Sequence, residues 1–364
     1  MQLQKLISEL ELLAPLSYQE SYDNAGLIVG NSSMDITKAL ICFDVTEEVI
    51  EEAKSIGANL IISHHPIIFN GIKKLNGKNY VERIVIAAIK ADIALYAMHT
   101  NLDNVILGTN RILANKLGLK NLQVLAPLKG HFRKLVNFCP VKHVERVRNA
   151  IFDAGAGHIG KYDQCSFNVK GQGSFRAGED TKPFVGEQNK IHFEEEVRIE
   201  TIFPDYLEHK VISALKNAHP YEEVAFDIFK LENASLDIGA GIIGDLEEPE
   251  SEMEFLHKLR KHTNAEGIRY TKLRNKSVKK IALCGGSGAF LIHKAKSAGA
   301  DLYITGDVKY HEFFDADGQI IIADIGHYES EQFTKELLIS YIKKKFPTFA
   351  VQISVSNTNP INYL

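Results

Sequence analysis

The segment Ala53-Lys-Ser-Ile-Gly-Ala-Asn-Leu-Ile-Ile-Ser63 returns 242 positions later, from Ala53 to Ala295, as Ala295-Lys-Ser-Ala-Gly-Ala-Asp-Leu-Tyr-Ile-Thr305. Both copies read as a helix end, a glycine turn and an apolar strand. The strand parts are continuous apolar runs without alternation, which suits strands buried on both faces of a sheet. At the same offset Cys42 falls over Cys284, each late in a further strand. After each copy comes another apolar run ending in a four-residue spacing, His99-x3-Asp103 in the first and His327-x3-Glu331 in the second. This ordered repetition predicts an α/β fold of two pseudo-repeated halves facing each other.

The chain between the halves has a different character. A strand over 134–140 that ends in proline is followed by a helix over 142–153. Strand-like pieces come around 164–169 and 192–203, then a helix over 206–218 and a strand over 224–230. That βαββαβ order is the ferredoxin-like arrangement. We therefore expect a core made of 1–129 and 233–364, with 130–232 as an inserted α+β domain. A chain of 364 residues with 45% hydrophobic content is long enough for two or three packed domains.

Bulk properties narrow the partners. The net charge is -4, and the densest basic runs, Lys272–Lys280 and Lys343–Lys345, lack aromatic interleaving, so nucleic acid is not an expected partner. The four cysteines share no close spacing, which argues against a zinc ribbon or a disulfide framework and for a reducing, cytoplasmic setting. Apolar residues at 3, 6, 7 and 10 give an amphipathic first helix, not a signal peptide. No run approaches the ~20 apolar residues of a membrane span.

Chemistry-bearing residues sit just past the apolar runs over 59–63, 92–98 and 319–326. Ligands of open α/β sheets bind off such carboxyl ends. Adjacent residues on an extended chain point to opposite sides, so His64 and His65 suit two ions, one each. Taken alone, His-His-Pro also reads as a polar loop tip. His327 and Glu331 open a segment with apolar positions at 333, 337, 338, 341 and 342, a helical face, and residues four apart share a side. A carboxylate is favoured at a helix start even without metal, so Glu331 also reads as a cap. The spacing His99-x3-Asp103 comes without an obvious helix; Asp103 is the expected ligand, and His99 orients a ligand or touches substrate. Three imidazoles and two carboxylates suit Zn²⁺, Mn²⁺ or Fe²⁺. With two ions, Glu331 has the reach to bridge them. A pair roughly 3.5–4 Å apart lowers the pKa of a water between them toward about 7, which favours hydrolysis.

Other groups surround this set. Asp23-Asn24-Ala-Gly26, after Tyr22, reads as a turn signature and also as a source of polar groups beside the centre. Cys284-Gly-Gly-Ser-Gly288 reads either as an anion cradle or as tight packing. Asp307, Lys309, Tyr310 and His311 are candidate substrate or proton-transfer groups, and His219-Pro-Tyr-Glu-Glu223 reads as helix-to-strand packing more than as a ligand cluster.

Taken together, Ser21-Tyr-Asp-Asn-Ala-Gly-Leu27, Ser63-His-His-Pro66, His99-Thr-Asn-Leu-Asp103, Thr305-Gly-Asp307 and Gly326-His327-x3-Glu331 resemble the Nif-three-like dinuclear-metal family, often called type 2 homologues of GTP cyclohydrolase I. Tyr22 stands where that family usually carries tryptophan. The resemblance implies that His64, His65, Asp103, His327 and Glu331 hold two divalent ions per chain, Zn first, with Mn or Fe also suited. It implies a PII-like insert and a homohexameric ring with the sites facing an internal cavity. It also implies a small-molecule substrate, possibly a nucleotide, and hydrolysis of C–N bonds of a cyclic amidine by metal-activated water. The alternative is a non-catalytic, metal-stabilised ring that senses a ligand through the insert.

Overall fold

The short apolar runs form strands whose alternate residues enter different cores. The computed structural model describes all residues, Met1–Leu364, and the chain forms two compact units, Met1–Pro127 with Leu236–Leu364, and Leu128–Ser235.

The larger unit holds two sheets. One is 5-stranded, in the order Gly26–Val29, Ala94–Ala97, Leu60–Ser63, Lys38–Cys42, Ala350–Ile353. Its strands run parallel except Gly26–Val29 at the edge, which pairs antiparallel with Ala94–Ala97. The other is 6-stranded, in the order Arg269–Tyr270, Ile321–Asp324, Leu302–Thr305, Ser277–Leu283, Ala234–Ser251, Lys120–Lys129. Its three central strands are parallel. Within them Leu302, Ile304, Ile321 and Ala323 join a core with Leu113, Leu256 and Leu259, whereas Tyr303, Ile322 and Ala282 join another with Ile292 and Ala295. Both faces are covered, which is why these strands read as unbroken apolar runs. Each large side chain so buried stabilises the fold by roughly 1.5–3 kcal/mol.

Helices Glu47–Ser55 and Tyr80–Lys90 cover one face of the first sheet through Val49, Ile50, Ile84 and Ala88. They start at Thr46 and Asn79, whose side chains accept the N–H groups of Val49 and Glu82, caps worth about 1 kcal/mol each. Glu47–Ser55 ends at Gly57 and Ile292–Ser297 ends at Gly299, both in the left-handed region that stops a helix and lets the next strand begin. The first helix, Leu3–Leu13, buries Leu3, Leu6, Ile7 and Leu10, the spacing its sequence predicts.

The smaller unit is a 4-stranded antiparallel sheet in the order Phe167–Arg176, Ile191–Pro204, Phe132–Pro140, Phe226–Leu231. Helices Val144–Asp153 and Glu208–Ala218 supply Val147, Ile151, Val211 and Leu215 to a core with Leu135 and Ile199. The strand expected near 164–169 starts later and runs on to Arg176, because its register with Ile191–Pro204 continues from Phe167 opposite Glu200 to Arg176 opposite Ile191.

Two local expectations differ from what is observed. The segment opened by His327 is two helices, His327–Glu331 and Thr334–Lys345, not one. Residues Thr100–Asp103 form a short helix, one turn being too short to show an amphipathic period. No helix is long and apolar enough to cross a membrane.

Candidate metal centre

Strand Leu60–Ser63 delivers the two adjacent histidines. The backbone N–H groups of His64 and His65 both donate to the Phe43 carbonyl, at 3.1 and 3.2 Å, and the Ser63 hydroxyl donates to the His65 carbonyl at 2.7 Å. Phe43 stacks on the His64 ring and meets that of His65 edge-on. His327 and Glu331 come from the helix after Gly326, whose φ of 93° lets the chain turn from strand into helix.

All five expected residues converge. Glu331 Oε2 lies 3.5 Å from His64 Nε2, 3.5 Å from His65 Nε2 and 3.1 Å from His327 Nε2. Asp103 Oδ1 lies 3.7 Å from His64 Nε2, and the Nε2 atoms of His65 and His327 face each other at 3.2 Å. Two overlapping groups result, His65 with His327 and Glu331, and His64 with Asp103 and Glu331, each with ligand atoms within 4.8 Å of one another. A third group joins His64, His65 and His99.

The imidazoles are aimed by what holds their other nitrogen. His64 Nδ1–H donates to the Met98 carbonyl at 2.8 Å, His65 Nδ1–H to Asp44 at 2.7 Å and His327 Nδ1–H to Asp307 at 2.7 Å. A ring that donates from Nδ1 turns the lone pair of Nε2 toward the centre, the arrangement that supports metal-binding histidines. Asp307 is itself held by the Ser287 hydroxyl at 2.6 Å. His99 follows the same rule, its Nδ1–H on Asp23 at 2.8 Å.

Three buried atoms at the centre, His64 Nε2, Asp103 Oδ1 and Glu331 Oε2, make no hydrogen bond of good geometry, and the rings around Glu331 Oε2 meet it only as ion pairs. Leaving such a group unpaired costs about 1–3 kcal/mol each. A cation among them satisfies all three at once, so the donor set fits divalent metal. The charges agree. Burial alone raises Glu331, yet the imidazoles of His327, His64 and His65 hold its carboxyl well below the usual range. Burial also pushes Asp103 up. Burial lowers His65 and His327, but Asp44 with Glu331 raises the first to about 9, and Asp307 with Glu331 raises the second to about 10. Protons on these two rings thus put positive charge beside Glu331, in the cluster that could hold a cation.

His65, Asp103, His327 and Glu331 line a cleft of about 1450 Å³, whose walls also include Tyr22, Phe69, Lys74 and Phe290. Phe69 meets the His99 ring edge-on at 5.4 Å. Gly285 packs so closely on Glu331 that a Cβ there would sit 2.7 Å from its Cγ. The N–H groups of Gly285, Gly286 and Gly288 are taken by Asn110, Ser330 and Thr305, so this turn is packing and not an anion cradle. Of the further candidates, Asp307 supports His327, whereas Lys309, Tyr310 and His311 lie on an exposed turn away from the cleft lining. His219 and Tyr221 are packing groups: His219 Nε2–H donates to the Phe138 carbonyl and the Tyr221 hydroxyl to Glu196. Sequence reasoning missed Asp44, whose only local signal is that it follows the strand Lys38–Cys42 beside the one bearing the histidines.

The fold and donor set define a mixed α/β protein with a buried histidine and carboxylate cluster able to hold metal ions. The chain belongs to the Duf34/NIF3 (NGG1p interacting factor 3) family, whose model matches residues 1–360. Relatives named GTP cyclohydrolase 1 type 2 homolog are 40% identical in Halalkalibacterium halodurans and 38% identical in Bacillus subtilis, each match covering 99% of this chain and 98% of the relative. The crystal structure of a Bacillus cereus protein related to NIF3 matches with a TM-score of 0.86 at 39% identity, covering 100% of this chain and 99% of the other.

Proposed function

We propose that His65 and His327 hold one divalent ion, His64 and Asp103 hold a second, and Glu331 bridges them, making the chain a metal-dependent hydrolase of a nucleotide or related phosphorylated small molecule. The observation that carries the reading is the convergence of His64 Nε2, Asp103 Oδ1 and Glu331 Oε2, buried and unpartnered, on one place. The mixed N/O set suits Zn²⁺ first, with Mn²⁺ or Fe²⁺ also suited. Such ions, when bound, supply Lewis acidity and a lowered water pKa.

The chain's own groups do the rest. Asp44, Asp307 and the Met98 carbonyl fix the three rings. Glu331, with its carboxyl held low, stays ionised and supplies the shared negative charge. His99, steadied by Asp23, stands beside Phe69, and with Tyr22 on the cleft wall these rings suit a planar base, while Lys74 suits a phosphate. The relatives' name supports a nucleotide of the guanosine class and cleavage of a C–N bond of its cyclic amidine.

We also propose that the core sheets are pseudo-repeated halves and that 130–232 is a PII-like insert. Parallel central strands in both sheets support the first, and the insert's strand order supports the second. On the family resemblance we further propose a homohexameric ring. The test is turnover of a nucleotide panel by metal-loaded protein: we expect metal-dependent hydrolysis that Glu331→Ala abolishes, and a panel left untouched would refute the hydrolase reading.

A further inference from the structure

Residues 354–364 follow the strand Ala350–Ile353 without forming a helix or strand, yet they are pinned at every few residues. The Ser354 and Ser356 hydroxyls and the Val355 N–H all donate to Glu52 of helix Glu47–Ser55. The Thr358 hydroxyl donates to Asp44 Oδ2 at 3.1 Å. Asn359 Nδ2 donates at 3.0 Å to Glu329, a buried carboxylate on the helix that also bears His327 and Glu331. Thr358 and Pro360 reach the cleft lining. This segment therefore ties a helix of the first sheet to the helix that carries two of the five ligand residues.

We infer that Thr358 is a positioning residue of the metal centre: it clamps Asp44, and Asp44 aims His65. This rests on the two-metal reading above. Asp44 Oδ1 accepts the His65 Nδ1–H at 2.7 Å, which leaves Oδ2 to be fixed by something else. The side chain of Asp44 is 31% exposed, so water reaches it and competes for both oxygens. A hydroxyl on Oδ2 restrains rotation of the carboxylate and keeps Oδ1 on the His65 Nδ1–H. The other two rings need no such clamp. His64 leans on a backbone carbonyl, and Asp307 is already held by Ser287. Loss of Thr358 thus acts on one ion and not on both.

The test is Zn²⁺ uptake by the full chain in competition with a chromophoric chelator, together with unfolding of the chelator-treated protein. In Thr358→Val one of the two Zn²⁺ ions binds about 5–10-fold more weakly and the other binds as in the unaltered chain, while Thr358→Ser restores both. Asp44→Asn weakens the same ion by about 10–100-fold, the usual effect of removing such a partner, and adding Thr358→Val to it changes nothing more. The inference is overturned if Thr358→Val binds both ions normally, or if it loses both together with a lower unfolding midpoint of the metal-free protein. An unaltered chain that takes up no Zn²⁺ overturns the two-metal reading and this inference with it. One that takes up two and is matched by Thr358→Val overturns this inference alone.

Discussion

Two strand ends in the core carry opposite assignments. Leu60–Ser63 ends in His64 and His65, whose Nε2 atoms point into the cluster. Leu302–Thr305, central in the other sheet, ends in Gly306 and Asp307, and Asp307 never reaches the cluster but holds His327 from behind. Gly306 has the backbone of residues 326–327 pressed against it, with the Gly326 carbonyl carbon 2.9 Å from where a Cβ would be, so no imidazole fits there. The carboxyl ends of two parallel strands thus serve one cluster in two ways, one placing imidazoles in it and the other aiming an imidazole that arrives on a helix.

The strongest challenge to this division is Glu331→Ala. Its Oε2 is shared by three imidazoles, so we expect uptake of both ions to fall by more than about 100-fold; retention of one at full affinity, measured by Zn²⁺ competition, would break the bridging role. Asp307→Asn keeps a residue that tolerates the φ of 54° there, and should weaken only the ion next to His327, by about 10–100-fold. Uptake should also depend on pH. His65 and His327, raised to about 9 and about 10 in the absence of metal, release protons when a cation binds, so apparent affinity rises as pH increases from about 6 to about 9.

Asp23 sharpens the contrast by supporting a ring at the rim. Burial raises its pKa, but His99, Thr100 and Asn24 bring it down to about 2. Because the folded value lies below the unfolded one, the stabilisation is present above about pH 4 and fades as pH falls toward 2; with solvent screening of this half-buried group, Asp23→Asn should remove about 1–2 kcal/mol at neutral pH and flatten that acid limb in denaturant titrations. Of similar size is Gly285→Ala, which forces Glu331 to shift and should cost about 1–3 kcal/mol in unfolding free energy.

Much of the site was legible because its residues follow apolar runs that can only be buried strands. His64, His65, His327 and Glu331 were marked by strand ends and a four-residue helical spacing, although His-His-Pro alone also read as a loop tip and Glu331 also as a helix cap. Asp103 was legible as a member of the cluster, whereas its helix was not. The supporting groups were hidden for a physical reason. Asp44 lies 21 residues from His65 and Thr358 lies 314 from Asp44, so these contacts exist only once strands pair and the last segment folds back. The glycine turn over 285–288 was ambiguous because sequence does not say whether N–H groups are free, and here three are taken. The exposed Tyr310 and His311 carried reactive side chains but no signal of where they point.

The most direct measurement is anomalous diffraction from crystals soaked in Zn²⁺ or Mn²⁺. Two peaks per chain, about 3.5–4 Å apart with Glu331 between them, one beside His65 and His327 and the other beside His64 and Asp103, are what the account predicts. A single peak, or density that leaves Glu331 without an ion, would contradict it.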